Sequence, residues 1–176
     1  MNFLACFFML LSFVGCAALP ERSISKVNSI GLNDIEQLKM GVTTLVQIQK
    51  LFGPPTQVLT TLFKNEDVWV YDSVLNGDPV PKASFTVSKK GGIVLGAAWI
   101  PFSDEDCSYE SNALAHFKGL KFIKNKVEQN PHWYVDDLDY ESEDHSISFK
   151  VIKPSGRVEA ISFGIPQEKI RTPAKL

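Results

Sequence analysis

Hydrophobic and polar residues alternate with a helical period near the start of the chain's polar part. Four apolar residues recur at the spacing of one helix face: Leu45, Ile48, Leu51 and Phe52. Thr44 and Gln47 have the spacing of a capping box, in which each side chain satisfies a free backbone N–H at the helix start. Gly53 and the two prolines after it cannot continue a helix. The pattern therefore predicts a helix from residue 45 to residue 52.

A shorter helix is predicted just upstream, beginning at Asn33 or Asp34 and ending at Gly41. Downstream, the apolar pattern changes to β-branched and aromatic runs bounded by polar turns. These runs predict strands over residues 56–63, 68–74, 84–88 and 93–100. Two helices followed by antiparallel strands predict an α+β fold, in which a helix-helix pair packs on an antiparallel sheet as an ααβββ unit.

The second half of the chain repeats part of this pattern. A shift of 64 residues places residues 83–100 over residues 147–164, with eight identities in all: Ser84/Ser148, Phe85/Phe149, Val87/Val151, Lys89/Lys153, Gly92/Gly156, Val94/Val158, Trp69/Trp133 and Asp72/Asp136. A helix is predicted from Glu110 to Lys118, with Leu114 and Phe117 inward and Gly119 at its end. The repeat predicts two tandem units.

These patterns divide the chain into five parts. A signal peptide (1–15) is followed by a flexible linker (16–33), a first unit (34–102), a second and degenerate unit (103–166), and a C-terminal tail (167–176). About 160 residues after the signal are enough for one ordinary domain or two small packed units.

The first fifteen residues form an apolar run without charge that ends at Cys16. The tetrad Phe13-Val14-Gly15-Cys16 resembles a bacterial lipobox, which implies cleavage before Cys16 and its lipidation. Two alternatives stay open: an ordinary signal cut after Ala17 or Ala18, and an uncleaved membrane anchor extending to Leu19. Each of them places the rest of the chain outside the cytoplasm.

Three short motifs occur in the order typical of a known family: Gly41-Val42-Thr43, Leu51-Phe52-Gly53-Pro54-Pro55 and Trp69-Val70-Tyr71. Residues 30–100 resemble the SmpA/OmlA (BamE-like) family of outer-membrane lipoprotein domains. The resemblance implies a lipid anchor at Cys16 in the outer membrane, facing the periplasm, and envelope proteins as partners. Ala17 agrees with this destination, because an Asp at that position usually retains such lipoproteins at the inner membrane. The tandem arrangement resembles the β-lactamase inhibitory proteins.

Composition narrows the function further. The pI near 5.9 and the net charge of -2 give no basic surface for nucleic acid. Cys6 lies in the signal and Cys16 is the candidate lipidation site, so Cys107 is left without an intrachain partner and no disulfide is predicted. Because Cys107 follows three acidic residues, its thiol pKa should be raised. We expect Cys107 to be an unreactive surface or half-buried thiol.

The sequence contains few candidates for catalysis or ligand binding. His116, His132 and His145 lack metal-ligand spacing, and the acidic run Asp136–Asp144 lacks the pattern of a calcium loop. That run predicts a solvated hairpin connection. Lys89 to Gly92 predict a turn instead of a phosphate loop. The sequence predicts no catalytic residue, metal, cofactor or small-molecule substrate.

Three functions are consistent with these observations. The leading hypothesis is a non-enzymatic, lipid-anchored protein-binding module of the outer membrane, acting in outer-membrane protein assembly or envelope integrity. The first alternative is a secreted or periplasmic inhibitor of the β-lactamase inhibitory kind. The second alternative is an envelope hydrolase using Asp136, Asp139 or His145.

Overall fold

The computed structural model describes residues 30–60, 65–103, 105–126 and 137–166. In these ranges the chain forms three short helices: α1 (Leu32–Glu36), α2 (Leu45–Phe52) and α3 (Glu110–His116). It also forms eight strands: β1 (Gln57–Thr60), β2 (Glu66–Leu75), β3 (Asp78–Ser88), β4 (Val94–Trp99), β5 (Phe122–Lys126), β6 (Asp137–Ser142), β7 (Ile147–Ile152) and β8 (Arg157–Phe163).

All eight strands belong to one antiparallel sheet in the order β1-β2-β3-β4-β8-β7-β6-β5. Each group of four consecutive strands is a meander, and the two meanders meet where β4 pairs with β8. This seam comprises three residue pairs: Ala97 with Phe163, Ala98 with Ser162, and Trp99 with Ile161. The sheet therefore continues across both halves of the chain.

The predicted fold class is wrong. The chain is dominated by one eight-stranded sheet with a few short helices, instead of ααβββ units in which a helix pair packs on three strands. The physical reason is that caps and helical spacing signal where a helix begins and ends, whereas sheet continuity depends on pairing between distant strands. In the described second half, α3 is the one helix that precedes the strands.

Strand β3 begins six residues before the predicted strand. Asn76 and Gly77 both have positive φ, at 54° and 93°, and form the two-residue turn that joins β2 to β3. Pro79 and Pro81 lie in the part of β3 that pairs with β2 and extends beyond β4. A proline has no N–H to donate, so it is tolerated where no second neighbouring strand needs one.

The ends of α2 agree with its capping residues, whereas the ends of α1 differ from the prediction. Thr44 accepts a hydrogen bond from the Gln47 N–H, the Gln47 side chain accepts one from the Thr44 N–H, and Gly53 ends α2 with φ 79°. The prediction for α2 is confirmed, except that Leu51 is 62% exposed and not part of the inward face. Both predicted ends of α1 are wrong: the helix begins at Leu32 and ends at Glu36, and the Asp34 carboxylate accepts a hydrogen bond from the Gly31 N–H at 2.9 Å.

The core lies between the three helices and one face of the sheet. Its largest fully buried side chains in the first half are Tyr71, Phe85 and Trp99, with Ile35 of α1 and Ile48 of α2 packed above them. In the second half four rings pack edge to face or stacked: Phe117, Phe122, Tyr140 and Phe149. Burial of each large apolar side chain stabilises the fold by roughly 1.5–3 kcal/mol.

Residues 64 apart occupy matching positions in the β3–β4 and β7–β8 hairpins. Ser84 pairs with Ala98 as Ser148 pairs with Ser162, and both hairpins contain a register shift at the same place. Each turn ends at a glycine with positive φ, at 59° in the first hairpin and 69° in the second. The 64-residue repeat predicted from the sequence is therefore confirmed for these two hairpins. The five-part division of the chain stays a prediction.

The described chain enters the core at Ile30, which is 3% exposed. The Trp99 indole N–H donates a hydrogen bond to the Ile30 carbonyl oxygen at 2.9 Å. Leu32 is also buried, so the last residues of the predicted linker belong to the folded core. Because Trp99 points toward the helices, the chain reaches the fold on its helix-bearing side.

Candidate protein-binding surface

The described helices all lie on one face of the sheet, and no described helix lies on the opposite face. Alternation along each strand places the large core residues toward the helices and their neighbours away from them. One row of this opposite face runs across five strands, through Ser84, Ala98, Ser162, Ser148 and Glu141, and Val70 of β2, next in the row, is buried. We call this surface the open face.

Small side chains occupy the centre of the open face. They are half-buried or exposed and comprise Ser84, Thr86, Gly96, Ala98, Ser148, Ala160 and Ser162. A Cβ at Gly96 would lie 3.1 Å from the Phe163 carbonyl oxygen, so glycine suits this position beside the seam. Small residues leave the backbone accessible, so another protein surface could approach the sheet closely.

The open face is polar over the second meander. A groove of about 450 Å³ is lined there by Asp139, Glu141, Lys150 and Glu159 among others. Lys150 and Glu159 form an ion pair at 3.0 Å. Three carboxylates against one ammonium make this half acidic, so it favours a partner with basic groups.

The sheet is apolar at its other end, where the β2–β3 ribbon extends past its neighbours. β4 pairs with β3 from residue 83 to residue 87, so residues 72–81 form a two-stranded projection. Val74 and Leu75 are 43% and 44% exposed near its tip. Exposed apolar residues at the end of a rigid hairpin suit contact with another protein.

Two of the residues considered for a hydrolase, Asp139 and His145, lie in the described part of the chain. Asp139 lies within β6 on the open face, whereas His145 lies in the turn after β6 and pairs with Glu141. Asp136 and His132 lie outside the described residues.

His116 contacts residues of the helix layer. Its Nε2 atom lies 2.7 Å from a Glu36 carboxylate oxygen, so the pair joins α3 to α1. The ring also packs edge-on against Phe117. Among the described residues no group of three or more His, Cys, Asp or Glu side chains could hold a metal ion.

The acidic run is different from the predicted solvated connection. Residues 137–142 form β6, and among the described part of the run the turn contains Glu143 and Asp144. The Asp144 carboxylate accepts hydrogen bonds from the Ser142 and Ser146 hydroxyls, each at 2.7 Å, which lowers its pKa. Alternation of Leu138 and Tyr140 with acidic residues is a strand pattern that the density of charge obscured.

Cys107 is fully buried, at 1% exposure, so the prediction of a surface or half-buried thiol is wrong. Burial raises the pKa of Cys107 to about 11, and the charges of Asp106 and Glu36 raise it further. A thiol with this pKa is protonated at neutral pH and is a poor nucleophile.

A buried lysine connects the sheet to the loop before α3, and sequence reasoning missed it. A bulge at Lys82 turns its side chain to the helix side, where its ammonium donates to the Ile100 carbonyl oxygen at 2.9 Å and pairs with Glu105. The ammonium also lies 4.4 Å and 4.0 Å from the ring centroids of Trp99 and Phe102. The sequence gives little indication that Lys82 is buried, because a lysine that follows two prolines is typical of a loop.

A second charged cluster fixes α3 to the sheet. The Glu110 carboxylate accepts hydrogen bonds from Lys153 and from the Tyr140 hydroxyl, and Lys124 lies 3.5 Å away. These hydrogen bonds lower the pKa of Glu110 to about 2, and the bond from Lys153 contributes more than the bond from Tyr140. An acidic residue at the predicted helix start was its sequence signal, although the partners could not be identified.

The proposed lipidation site, Cys16, lies outside the described residues. Within those residues, no helix has the length and apolar character needed to cross a bilayer. Comparison with protein-family models, curated proteins and solved structures finds no match for this chain.

Proposed function

We propose that this protein is a bacterial lipoprotein of the outer membrane that binds other envelope proteins through its open face. Cys16 carries the lipid, the folded part faces the periplasm, and the bound proteins are assembled or stabilised there. The resemblance to the SmpA/OmlA family supports a role in outer-membrane protein assembly or envelope integrity. The protein contributes binding, and no chemical step is assigned to it.

The observation that carries this proposal is the open face of the eight-stranded sheet, on which no described helix lies. One face is occupied by the helices, and the other presents small side chains between an acidic groove and an apolar projection. A broad surface of this kind matches the dimensions of protein–protein interfaces better than those of a small-molecule cleft.

The position of the chain entry supports the same arrangement. Ile30 is held on the helix-bearing side by Trp99, and fourteen residues lead to it from Cys16. An extended segment of that length reaches at most roughly 50 Å. A tether from the helix side leaves the open face free to meet a partner.

The anchor is tested by labelling cells with a palmitate analogue. We expect the wild-type chain to be labelled and to fractionate with the outer membrane, and the Cys16→Ala variant to be unlabelled. An unlabelled wild-type chain released into the medium would exclude the anchored protein.

The binding surface is tested by photo-crosslinking in intact cells. A crosslinking residue at Ser162 or Ser148, on the open face, should capture envelope proteins, and the matched position Ser111 on α3 should not. Capture of outer-membrane assembly components would support the proposed role. Equal capture from Ser111 and Ser162 would rule out the open face as the specific surface.

A secreted inhibitor is the second candidate, and the projecting β2–β3 ribbon favours it. An exposed apolar tip, as at Val74 and Leu75, suits insertion into a cleft of a target protein. Palmitate labelling separates the two candidates, because a freely secreted inhibitor carries no lipid. Loss of target binding on Leu75→Asp substitution, with Ser162 substitutions silent, would favour the inhibitor.

A further inference from the structure

The two edges of the sheet differ in charge. β1, at one edge, has four exposed residues and no charged side chain, with Val58 and Leu59 47% and 45% exposed. β5, at the other edge, contains Lys124 and Lys126. Lysines on an edge strand oppose the addition of another strand, so β5 is protected in a way that β1 is not.

β1 is held in an extended conformation by its inner neighbour. All four residues pair with β2, and just before them the Thr56 hydroxyl and N–H both donate to the Val70 carbonyl oxygen at 2.9 Å. No strand in the described part of the chain pairs with the outer side of β1. Alternate backbone N–H and C=O groups of β1 therefore point outward and are available to a further strand.

Apolar side chains flank this edge on both faces of the sheet. Leu59 lies opposite Val68 on the open face, and Val58 lies opposite the half-buried Trp69 on the helix side. Side chains of an added strand would lie beside these two pairs and cover them. A charged side chain beside these two apolar pairs would lose hydration there.

We propose that the outer edge of β1 is a strand-addition site for an extended segment of another protein. The segment carries alternating apolar and uncharged polar residues, and backbone hydrogen bonds provide its affinity. A second copy of this chain fits the edge less well. Four residues give an edge of roughly 13 Å, too short to bury the ~800 Å² per partner of a stable interface. The site does not require the lipid anchor or the open face.

The test uses the mature chain and a fluorescent peptide of alternating Val and Thr residues. Binding is measured by fluorescence anisotropy for the wild type, for Leu59→Lys and for Val58→Lys. The matched control is Val46→Lys, because Val46 is 71% exposed on α2, away from the edge. We expect both edge variants to bind about tenfold more weakly or worse, and the control to bind as the wild type does.

Two further measurements use only the wild-type chain, so they test the binding site even if a variant fails to fold. The same peptide with alternate backbone nitrogens methylated should not bind the wild-type chain, because it cannot donate the required hydrogen bonds. Hydrogen exchange of the wild-type chain with the unmodified peptide should slow at amides of residues 57–60. Circular dichroism establishes that each variant is folded.

Several results would overturn the proposal. These are absence of peptide binding, equal binding by the Leu59→Lys chain, equal binding of the methylated peptide, and slowed exchange at Ser148 and Ser162 instead of in β1. A concentration-dependent mass that Leu59→Lys abolishes would identify a second copy as the occupant. None of these results alters crosslinking from Ser162 in cells, so failure of this site is distinguishable from failure of the proposed function.

Discussion

The Tyr71 hydroxyl donates a hydrogen bond to the Gly53 carbonyl oxygen at 3.0 Å, which joins the middle of β2 to the residue that ends α2. The Tyr71 ring is fully buried and packs edge-on against Phe52 and Phe85. The contact holds α2 on one face of the sheet. The open face depends on this arrangement, because its freedom requires the helices to stay on the other side.

Replacement of Tyr71 by Phe should lower the free energy of unfolding by about 1–2 kcal/mol, because the Gly53 carbonyl loses its donor while the ring stays in place. The measurement is urea unfolding at pH 7. Tyr109→Phe, at a residue 43% exposed, is the matched control and should change stability little. Equal stability of wild type and Tyr71→Phe would contradict a stabilising role for the hydrogen bond.

Alkaline pH should destabilise the wild type through the same hydroxyl. Burial raises the pKa of Tyr71 to about 12, against about 10 in the unfolded chain. The folded state therefore binds the phenolic proton more tightly, and its contribution to stability is complete below pH 10 and is lost as the pH rises to 12. Unfolding between pH 9 and 12 should show a smaller decline for Tyr71→Phe than for the wild type.

Replacement of Glu110 by Gln should destabilise the protein at neutral pH. The pKa of Glu110 is about 2, so its contribution is complete above the unfolded value near 4.5 and is lost as the pH falls toward 2. We expect a loss of about 1 kcal/mol at pH 7, allowing for solvent screening of a partly exposed group. The difference between variant and wild type should disappear near pH 2. Glu143→Gln, in an exposed turn, is the control. If the difference in unfolding free energy between Glu110→Gln and the wild type did not change with pH, the stabilising role of the Glu110 charge would be refuted.

The Lys82–Glu105 pair predicts an asymmetric result. Glu105→Gln removes the charge of one partner of a buried ammonium and should cost about 2–3 kcal/mol, whereas Lys82→Met leaves a carboxylate that can reach water. Lys82→Met should therefore cost less, and the double variant should be more stable than Glu105→Gln alone. Urea unfolding of the four proteins gives the coupling energy. Additive losses in the double variant would show that the two groups act independently.

Cys107 should resist alkylation while the protein is folded. Its burial and its pKa of about 11 both suppress the thiolate at pH 8. Mass spectrometry after iodoacetamide treatment should find Cys107 unmodified in buffer and modified in denaturant. Rapid modification of the folded chain would indicate that the loop before α3 opens readily.

Features that depend on neighbouring residues, such as the ends of α2, could be predicted from the sequence. The start and end of α2 depend on Thr44, Gln47 and Gly53, which lie within ten residues of one another, and their contacts are local. Strand alternation likewise identified β4 and most of the β3–β4 hairpin. Hairpin register follows from turn chemistry and from the burial of one face, both of which leave a pattern in the sequence.

Long-range features were not readable. The two meanders form one sheet because Ala97 pairs with Phe163, and nothing in the sequence around either residue indicates that pairing. The bulge that buries Lys82 and the charged cluster at Glu110 likewise join residues that are 14 to 43 positions apart. The open face could not be identified before the sheet was known, because its residues are small and chemically ordinary.

The seam between β4 and β8 has a consequence for the speed of folding. Every other strand pair in the described sheet joins strands that are neighbours along the chain, whereas the seam joins residues 62 to 66 positions apart. Closing so long a loop costs chain entropy before the seam contacts can form. The two meanders should therefore form early, and their union should limit the folding rate. Substitutions at Ala98 or Ser162 would slow refolding more than substitutions in the β2–β3 turn.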